Sequence, residues 1–283
     1  MATPQRANLE RHGVRIAYER TGAAEGTPLA LLPAWMITTR RLWAAQVEHL
    51  ADRHPLILHD ARGSGGSDRP TDPAAYALPE LVADAVAVLD ATGTGRAVLV
   101  GHSFGGLVAY LTAVLHPDRV AGLVLIAPTI DVAGGEPTPL QTAIATFDGE
   151  PAGTGGWSRY NRGAWRTDFP GFVRWFTETA LGAEADGEQR AAALLDGLGT
   201  TPEVLAATVA ARSRKALTGR PPRCPALIVH GDRDAINPTA WSAALAALLD
   251  APYEVLPGAG HTPQVTRAAE TAHLIETFLK ELA

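Results

Sequence analysis

The chain has 283 residues, 46% of them hydrophobic and 19% charged, with a formal net charge of -6. This is the composition of a soluble globular protein with one large α/β domain or two modest ones, and not of a disordered chain. The acidic balance argues against a nucleic-acid backbone as partner, and the single cysteine, Cys224, excludes an internal disulfide.

The N-terminal stretch MATPQRANLERHG has no apolar run of signal-peptide type. The longest apolar run, PLALLPAWMI, is too short to span a bilayer. A cytoplasmic protein with no membrane partner is expected. The first strand signal is VRIAYER, which alternates with period two. PLALLPAW (28–35) and PLILHD (55–60) are continuous apolar runs, as in strands covered on both faces. Between them RLWAAQVEHLADR has helical spacing at Leu42, Ala45, Val47 and Leu50. LPELVADAVAVLDATG follows as a helix with Leu81, Ala85, Val88 and Leu89 on one face and Gly93 as its stop. Next come a strand (RAVLVG), a helix closed by Pro117 (GLVAYLTAVLHP) and another strand (VAGLVLIAPT). Much later PALIVHGD and YEVLPGAG read as two further strands. A last helix over about 263–282 carries Val265, Ala268, Ala272, Ile275 and Leu279 on one face.

Strand–helix alternation of this kind predicts an α/β fold, a mostly parallel twisted sheet with helices on both faces. One region breaks it. From Asp131 to Pro222 no buried strand is read; loop signals lead into helices such as GFVRWFTETAL and PEVLAATVAARSRKAL. The expected organisation is a core in two parts, 1–130 and 223–283, with a helical insertion over 131–222.

GHSFG, Gly101 to Gly105, sits at the end of a strand and the start of a helix. A serine at the apex of so sharp a turn is strained, exposed above the sheet and close to a helix N-terminus that favours a developing anion. Its hydroxyl needs a base, and the base an orienting acid. HGDRDAINP offers Asp232 and Asp234, and GAGHTP offers His261, each just beyond a strand's C-terminal end. His102 reads as a packing or hydrogen-bonding residue, His59 and His230 as core histidines, and no metal set is seen. Cys224, directly before Pro225, reads as a structural residue.

GHSFGG, DARGSGGSDRP, HGDRDAINP and GAGHTP together resemble the α/β-hydrolase superfamily, over nearly the whole chain outside the insertion. The resemblance implies the α/β-hydrolase fold with a helical cap, Ser103 as nucleophile, His261 as general base and Asp234, four residues before Pro238, as orienter. Asp131, after the preceding strand, is the rival acid. Serine at the nucleophile position sets aside the family's haloalkane dehalogenases and epoxide hydrolases, which need aspartate there. The oxyanion hole is expected from the backbone N–H groups of Phe104 and Trp35. Many relatives carry His-Gly before the second donor, whereas this chain has Pro33-Ala34. Trp157, Tyr160, Trp165, Phe169, Phe172, Trp175 and Phe176 cluster in the insertion. They are expected to pack it onto the core; Trp35, Trp157, Tyr160, Trp165, Phe172, Trp175 and Phe176 are the candidates for an apolar substrate pocket.

The activity implied is cofactor-free cleavage of a small or medium, largely apolar ester or lactone through an acyl-enzyme, by a monomer or homodimer whose partner is a small-molecule substrate. Acyl transfer or C–C bond hydrolysis with the same triad is the alternative within catalysis. A slow-turnover binding or sensory module is the alternative from another class, favoured by the altered oxyanion loop.

Overall fold

The computed structural model describes residues 4–211 and 221–282. An eight-stranded sheet lies at its centre, in the order β1-β2-β4-β3-β5-β6-β7-β8. β1 (Gln5–Arg11) and β2 (Val14–Gly22) form an antiparallel hairpin at one edge. β2 also pairs antiparallel with β4 (Pro55–His59). All remaining neighbours are parallel: β4 with β3 (Leu29–Leu32), then β5 (Ala97–His102), β6 (Val120–Ile126), β7 (Ala226–Gly231) and β8 (Tyr253–Leu256). The sheet and its helices form the mostly parallel α/β architecture read from the sequence.

β3, β4, β5 and β7 are buried along their whole length, which is why they read as unbroken apolar runs. Alternate residues serve opposite layers. Leu99 of β5 joins the layer holding α2 (Leu78–Ala91) and α3 (Phe104–Leu115); Val98 and Val100 join that of α1 (Ala44–Leu50) and α10 (Ala268–Leu282). α2 buries Leu81, Ala85, Val88 and Leu89 and stops where Gly93 takes φ 66°. β1 has no counterpart in the sequence reading. It is an edge strand with mostly exposed residues, so no apolar alternation marks it. The expected last helix is two: α9 (Pro263–Thr266) and α10, broken at Arg267, whose guanidinium is drawn to the Pro257 carbonyl, Glu184 and Glu270.

Among the described residues, four α-helices lie between β6 and β7: α4 (Pro139–Ala145), α5 (Arg162–Leu181), α6 (Gly187–Gly197) and α7 (Pro202–Ala210). α5 breaks at Asp168 (φ −146°, ψ 68°), two residues before Pro170, and Asp168 Oδ1 accepts from the Gly171 N–H to restart it. The helix read over 202–217 is described as far as Ala210; residues 212–217 of that reading lie outside the described residues. Hydrogen bonds tie these helices to the core: Trp35 Nε1 to Thr208 Oγ1 (2.8 Å), Thr39 Oγ1 to Asp196 Oδ2 (2.8 Å) and Thr200 Oγ1 to the Gly63 carbonyl (2.8 Å). No helix among the described residues is long and apolar enough to cross a membrane.

The loop after β3 crosses the start of α3 so closely that a Cβ on Gly105 would lie 2.2 Å from the Pro33 carbonyl oxygen. Backbone on both sides leaves no room to yield. Gly105→Ala is expected to cost about 2 kcal/mol or more in urea denaturation. Gly95→Ala, where a Cβ meets nothing within 4 Å, should stay within about 0.5 kcal/mol of wild type.

Candidate active site

Ser103 stands between the last residue of β5 and the first of α3, at φ 53° and ψ −118°. A non-glycine residue there is strained and has to be held. Its N–H donates to the Ile126 carbonyl (2.9 Å), and its own carbonyl accepts from Gly106 (3.0 Å) and Thr129 (3.0 Å). The side chain is thereby fixed above the C-terminal edge of the sheet, and the residue is only 9% exposed.

Ser103 Oγ lies 2.9 Å from His261 Nε2, and His261 Nδ1 lies 2.7 Å from Asp234 Oδ2. The loops after β7 and β8 are brought together by a close backbone approach. A Cβ on Gly231 would lie 2.2 Å from the Ala259 carbonyl oxygen, and the Arg233 N–H donates to that same carbonyl. Asp232 bridges the loops as well, accepting from the Gly258 N–H at 2.6 Å, so it is a structural residue. A segment between β6 and β7 holds His261 directly: the His261 N–H donates to the Ala180 carbonyl of α5 at 3.1 Å. Asp131 is engaged elsewhere, accepting from the Gly134 N–H and the Gln141 amide.

The Asp234 side chain is 0% exposed and accepts four hydrogen bonds. Oδ1 accepts from the N–H groups of Ile236 and Asn237; Oδ2 accepts from His261 and also from His230 Nε2 at 2.8 Å. Burial pushes this carboxyl up, but the charge of His261 and the hydrogen bonds from His230 and His261 outweigh it and hold the group well below its ordinary value. An ionised carboxylate only accepts, so both rings donate to it. His261 therefore carries its proton on Nδ1 and presents Nε2 as the acceptor for the serine hydroxyl. His230 Nδ1 is left to accept from Ser242 Oγ at 2.7 Å.

The sequence marks His230 only as a core histidine. It is buried, and it is also the second imidazole on Asp234. The signal available was its spacing of four residues before Asp234 in HGDRD. His102 donates through Nε2 to the His261 carbonyl at 2.8 Å, since a carbonyl cannot donate. Burial, followed by the charge of His261, holds its pKa well below the ordinary imidazole value, so it stays neutral. Burial also pushes the Cys224 thiol up, away from a reactive thiolate.

A cavity of about 430 Å³ opens over Ser103 and His261. Trp35, Ile37, Phe176, Leu181 and Val265 give it apolar walls, and all its exposed lining residues except Ala44 are charged: Arg41, Glu48, Asp186 and Glu188. Of the seven pocket candidates, Trp35 and Phe176 line it. Trp157, Tyr160, Trp165, Phe172 and Trp175 do not; they form an aromatic cluster behind the wall. Trp35 stacks on Tyr160 (5.5 Å between centroids) and meets Phe176 edge-on (5.4 Å), while Trp165 packs on Phe172 (4.6 Å). Burying such large rings against one another stabilises the insertion more than lining a cavity would. Phe104 follows Ser103 at the N-terminus of α3, and Trp35 shares the cavity wall with Ser103.

A model of the α/β hydrolase fold family matches residues 28–268. An epoxide hydrolase A from Mycobacterium tuberculosis is 35% identical over 140 residues, which cover 49% of this chain and 43% of that protein. The chain thus spans less than half the length of the curated relatives it matches. Solved structures match over their full length. A thermophilic esterase from Thermogutta terrifontis superimposes with TM-score 0.79 at 26% identity, covering 98% of this chain and 99% of that one. An esterase from Rhodococcus sp. ECU1013 does so with TM-score 0.78 at 27% identity, covering 100% of both. With the family model running from before β3 into α10, and the same architecture end to end in these structures, the chain belongs to the α/β-hydrolase fold family.

Proposed function

We propose that the protein is a serine hydrolase that cleaves a small or medium, largely apolar carboxylic ester or lactone through an acyl-enzyme. The observation that carries this reading is the run of contacts Ser103–His261–Asp234, at 2.9 and 2.7 Å, on the floor of the cavity. Ser103 attacks the carbonyl carbon, and its proton passes to His261 Nε2. Asp234 fixes the imidazole tautomer and stabilises the imidazolium that forms. The carbonyl electrons collect on an oxyanion facing the N–H groups of Phe104 and Trp35. The proton on His261 then goes to the leaving alcohol. Water repeats the sequence on the acyl-enzyme and restores Ser103.

The epoxide hydrolase among the relatives matches only part of the chain, and serine at position 103 favours an acyl carbon over an epoxide. The esterases among the full-length structural matches support the ester reading. Residues 131–222 act in this proposal as a cap over Ser103, supplying Phe176 and Leu181 to the acyl side of the cavity.

Ser103→Ala is expected to abolish ester turnover and fluorophosphonate labelling; a variant that is still labelled would remove Ser103 from the mechanism. Asp234→Asn should lower kcat by about 10⁴-fold by allowing the wrong imidazole tautomer. Asp131→Asn should leave kcat near wild type, and the reverse pair of outcomes would move the acid to Asp131. A general base must be neutral to accept from the serine hydroxyl, so activity falls as pH falls. Asp234 is depressed below its ordinary value of 3.8 and remains charged through this range. Log kcat/KM against pH should therefore fall with unit slope down to that value. A slope of two would mean that the carboxylate takes up a proton as well.

A further inference from the structure

The Ser103 hydroxyl has a second neighbour besides His261. Thr129 Oγ1 lies 3.2 Å away, and Asn237 Nδ2 lies 3.1 Å from Thr129 Oγ1 and 2.9 Å from the Ala127 carbonyl oxygen. The direction of every proton in this group can be worked out. The Ala127 carbonyl only accepts, so the amide nitrogen of Asn237, and not its oxygen, faces it. The same nitrogen gives its other proton to Thr129. Thr129 Oγ1 is then an acceptor on that side, and its own hydrogen is left for Ser103 Oγ. Ser103 in turn gives its hydrogen to His261 Nε2, His261 gives one to Asp234, and the Asn237 backbone N–H closes the ring on Asp234 Oδ1 at 3.0 Å.

The chain is bent to bring Thr129 there. Ala127, directly after β6, takes φ 44°, a conformation an alanine adopts only when held. Its N–H is bonded to the Val229 carbonyl and its carbonyl to Asn237, and the Thr129 N–H is bonded to the Ser103 carbonyl. Strain in a non-glycine residue beside a nucleophile points to a functional placement.

We propose that Thr129 is a further catalytic residue, whose hydroxyl donates to Ser103 Oγ and assists its departure from the acyl-enzyme; the inference rests on the serine-hydrolase reading above. Ser103 Oγ has two lone pairs. In the free enzyme Thr129 occupies one and leaves the other for the acyl carbon. In deacylation a water oxygen bonds to the acyl carbon, its proton goes to His261 Nε2, and the carbonyl π pair moves onto the carbonyl oxygen. When that pair returns, the C–Oγ bond breaks and its electrons collect on Oγ, which takes the proton back from His261. Thr129 donates to Oγ as this charge arrives. In acylation Oγ loses electron density, so the same donor gives no comparable help. The effect therefore falls on deacylation.

Thr129→Val removes the hydroxyl and keeps the shape. Thr129→Ala removes it without the branched side chain, and Thr129→Ser keeps it. With p-nitrophenyl butyrate, kcat of the Val and Ala variants should drop about tenfold, the effect of one lost hydrogen bond to an atom that gathers charge. KM should fall with it, and a pre-steady-state burst of p-nitrophenolate should mark accumulated acyl-enzyme. Thr129→Ser should stay within about twofold of wild type. A purely structural residue would change stability or KM without producing the burst. If wild type turns over and neither hydroxyl-free variant shows a lower kcat and a burst, the inference is overturned while the serine-hydrolase reading stands. If wild type neither hydrolyses the ester nor is labelled by fluorophosphonate at Ser103, that reading fails and the inference with it.

Discussion

Asp234 bears a negative charge where its side chain has no contact with solvent. Removing a carboxylate from water costs several kcal/mol unless hydrogen bonds replace the hydration. Here four donors replace it, and they come from three places. Ile236 and Asn237 belong to the acid's own loop; His230 lies at the end of β7 and His261 comes from the loop after β8. The charge can be buried only when these parts of the chain meet, so the carboxylate joins the end of the sheet together. Gly231 is the steric condition for that meeting, since any side chain there would strike the carbonyl of Ala259. The same four bonds decide the proton positions on both imidazoles. A requirement of stability, satisfying one buried charge, thus also fixes which ring nitrogen of His261 faces Ser103 as an acceptor.

Trp35 performs a comparable joining for the insertion. Its ring rests on Tyr160 and Phe176, and its indole N–H is held by Thr208 of α7. Its backbone belongs to the loop after β3, whose Pro33 carbonyl presses on Gly105 at the start of α3. One residue therefore couples the helices between β6 and β7 to the loop beside Ser103. A substitution in the aromatic cluster, although remote from the cavity, would reach the site through this ring.

The sheet was legible because its central strands are buried on both faces and so read as continuous apolar runs. β1 was not, because an edge strand exposed along most of its length carries no periodic signal. The meeting of Ser103, His261 and Asp234 was legible because each follows a strand end, and parallel strands bring their C-terminal ends to one side. What the sequence could not supply was direction. Seven aromatics in the insertion gave a composition without orientation, and five of the pocket candidates turn toward one another and not toward the cavity. His230 was hidden for a similar reason. A buried histidine in a strand end is ordinary, and only three dimensions reveal that it shares an oxygen with His261.

The loop after β6 connects the strain, the ring of hydrogen bonds and the position of the acid. Some members of the family keep their acid in this loop. In this chain Asp131, the acidic residue nearest the end of β6, is turned away to the Gly134 N–H and the Gln141 amide. With the acid on the β7 loop, the position beside Ser103 is open to a neutral group. A carboxylate there would lie against the serine oxygen and oppose any charge gathering on it. A hydroxyl can donate to that oxygen instead, provided its own acceptor side is already satisfied, and Asn237 provides that. Asn237 also donates its backbone N–H to Asp234. Asn237, which donates to Asp234, thereby also turns the Thr129 hydroxyl toward Ser103, so the placement of Asp234 after β7 and the orientation of the threonine after β6 are two consequences of one loop.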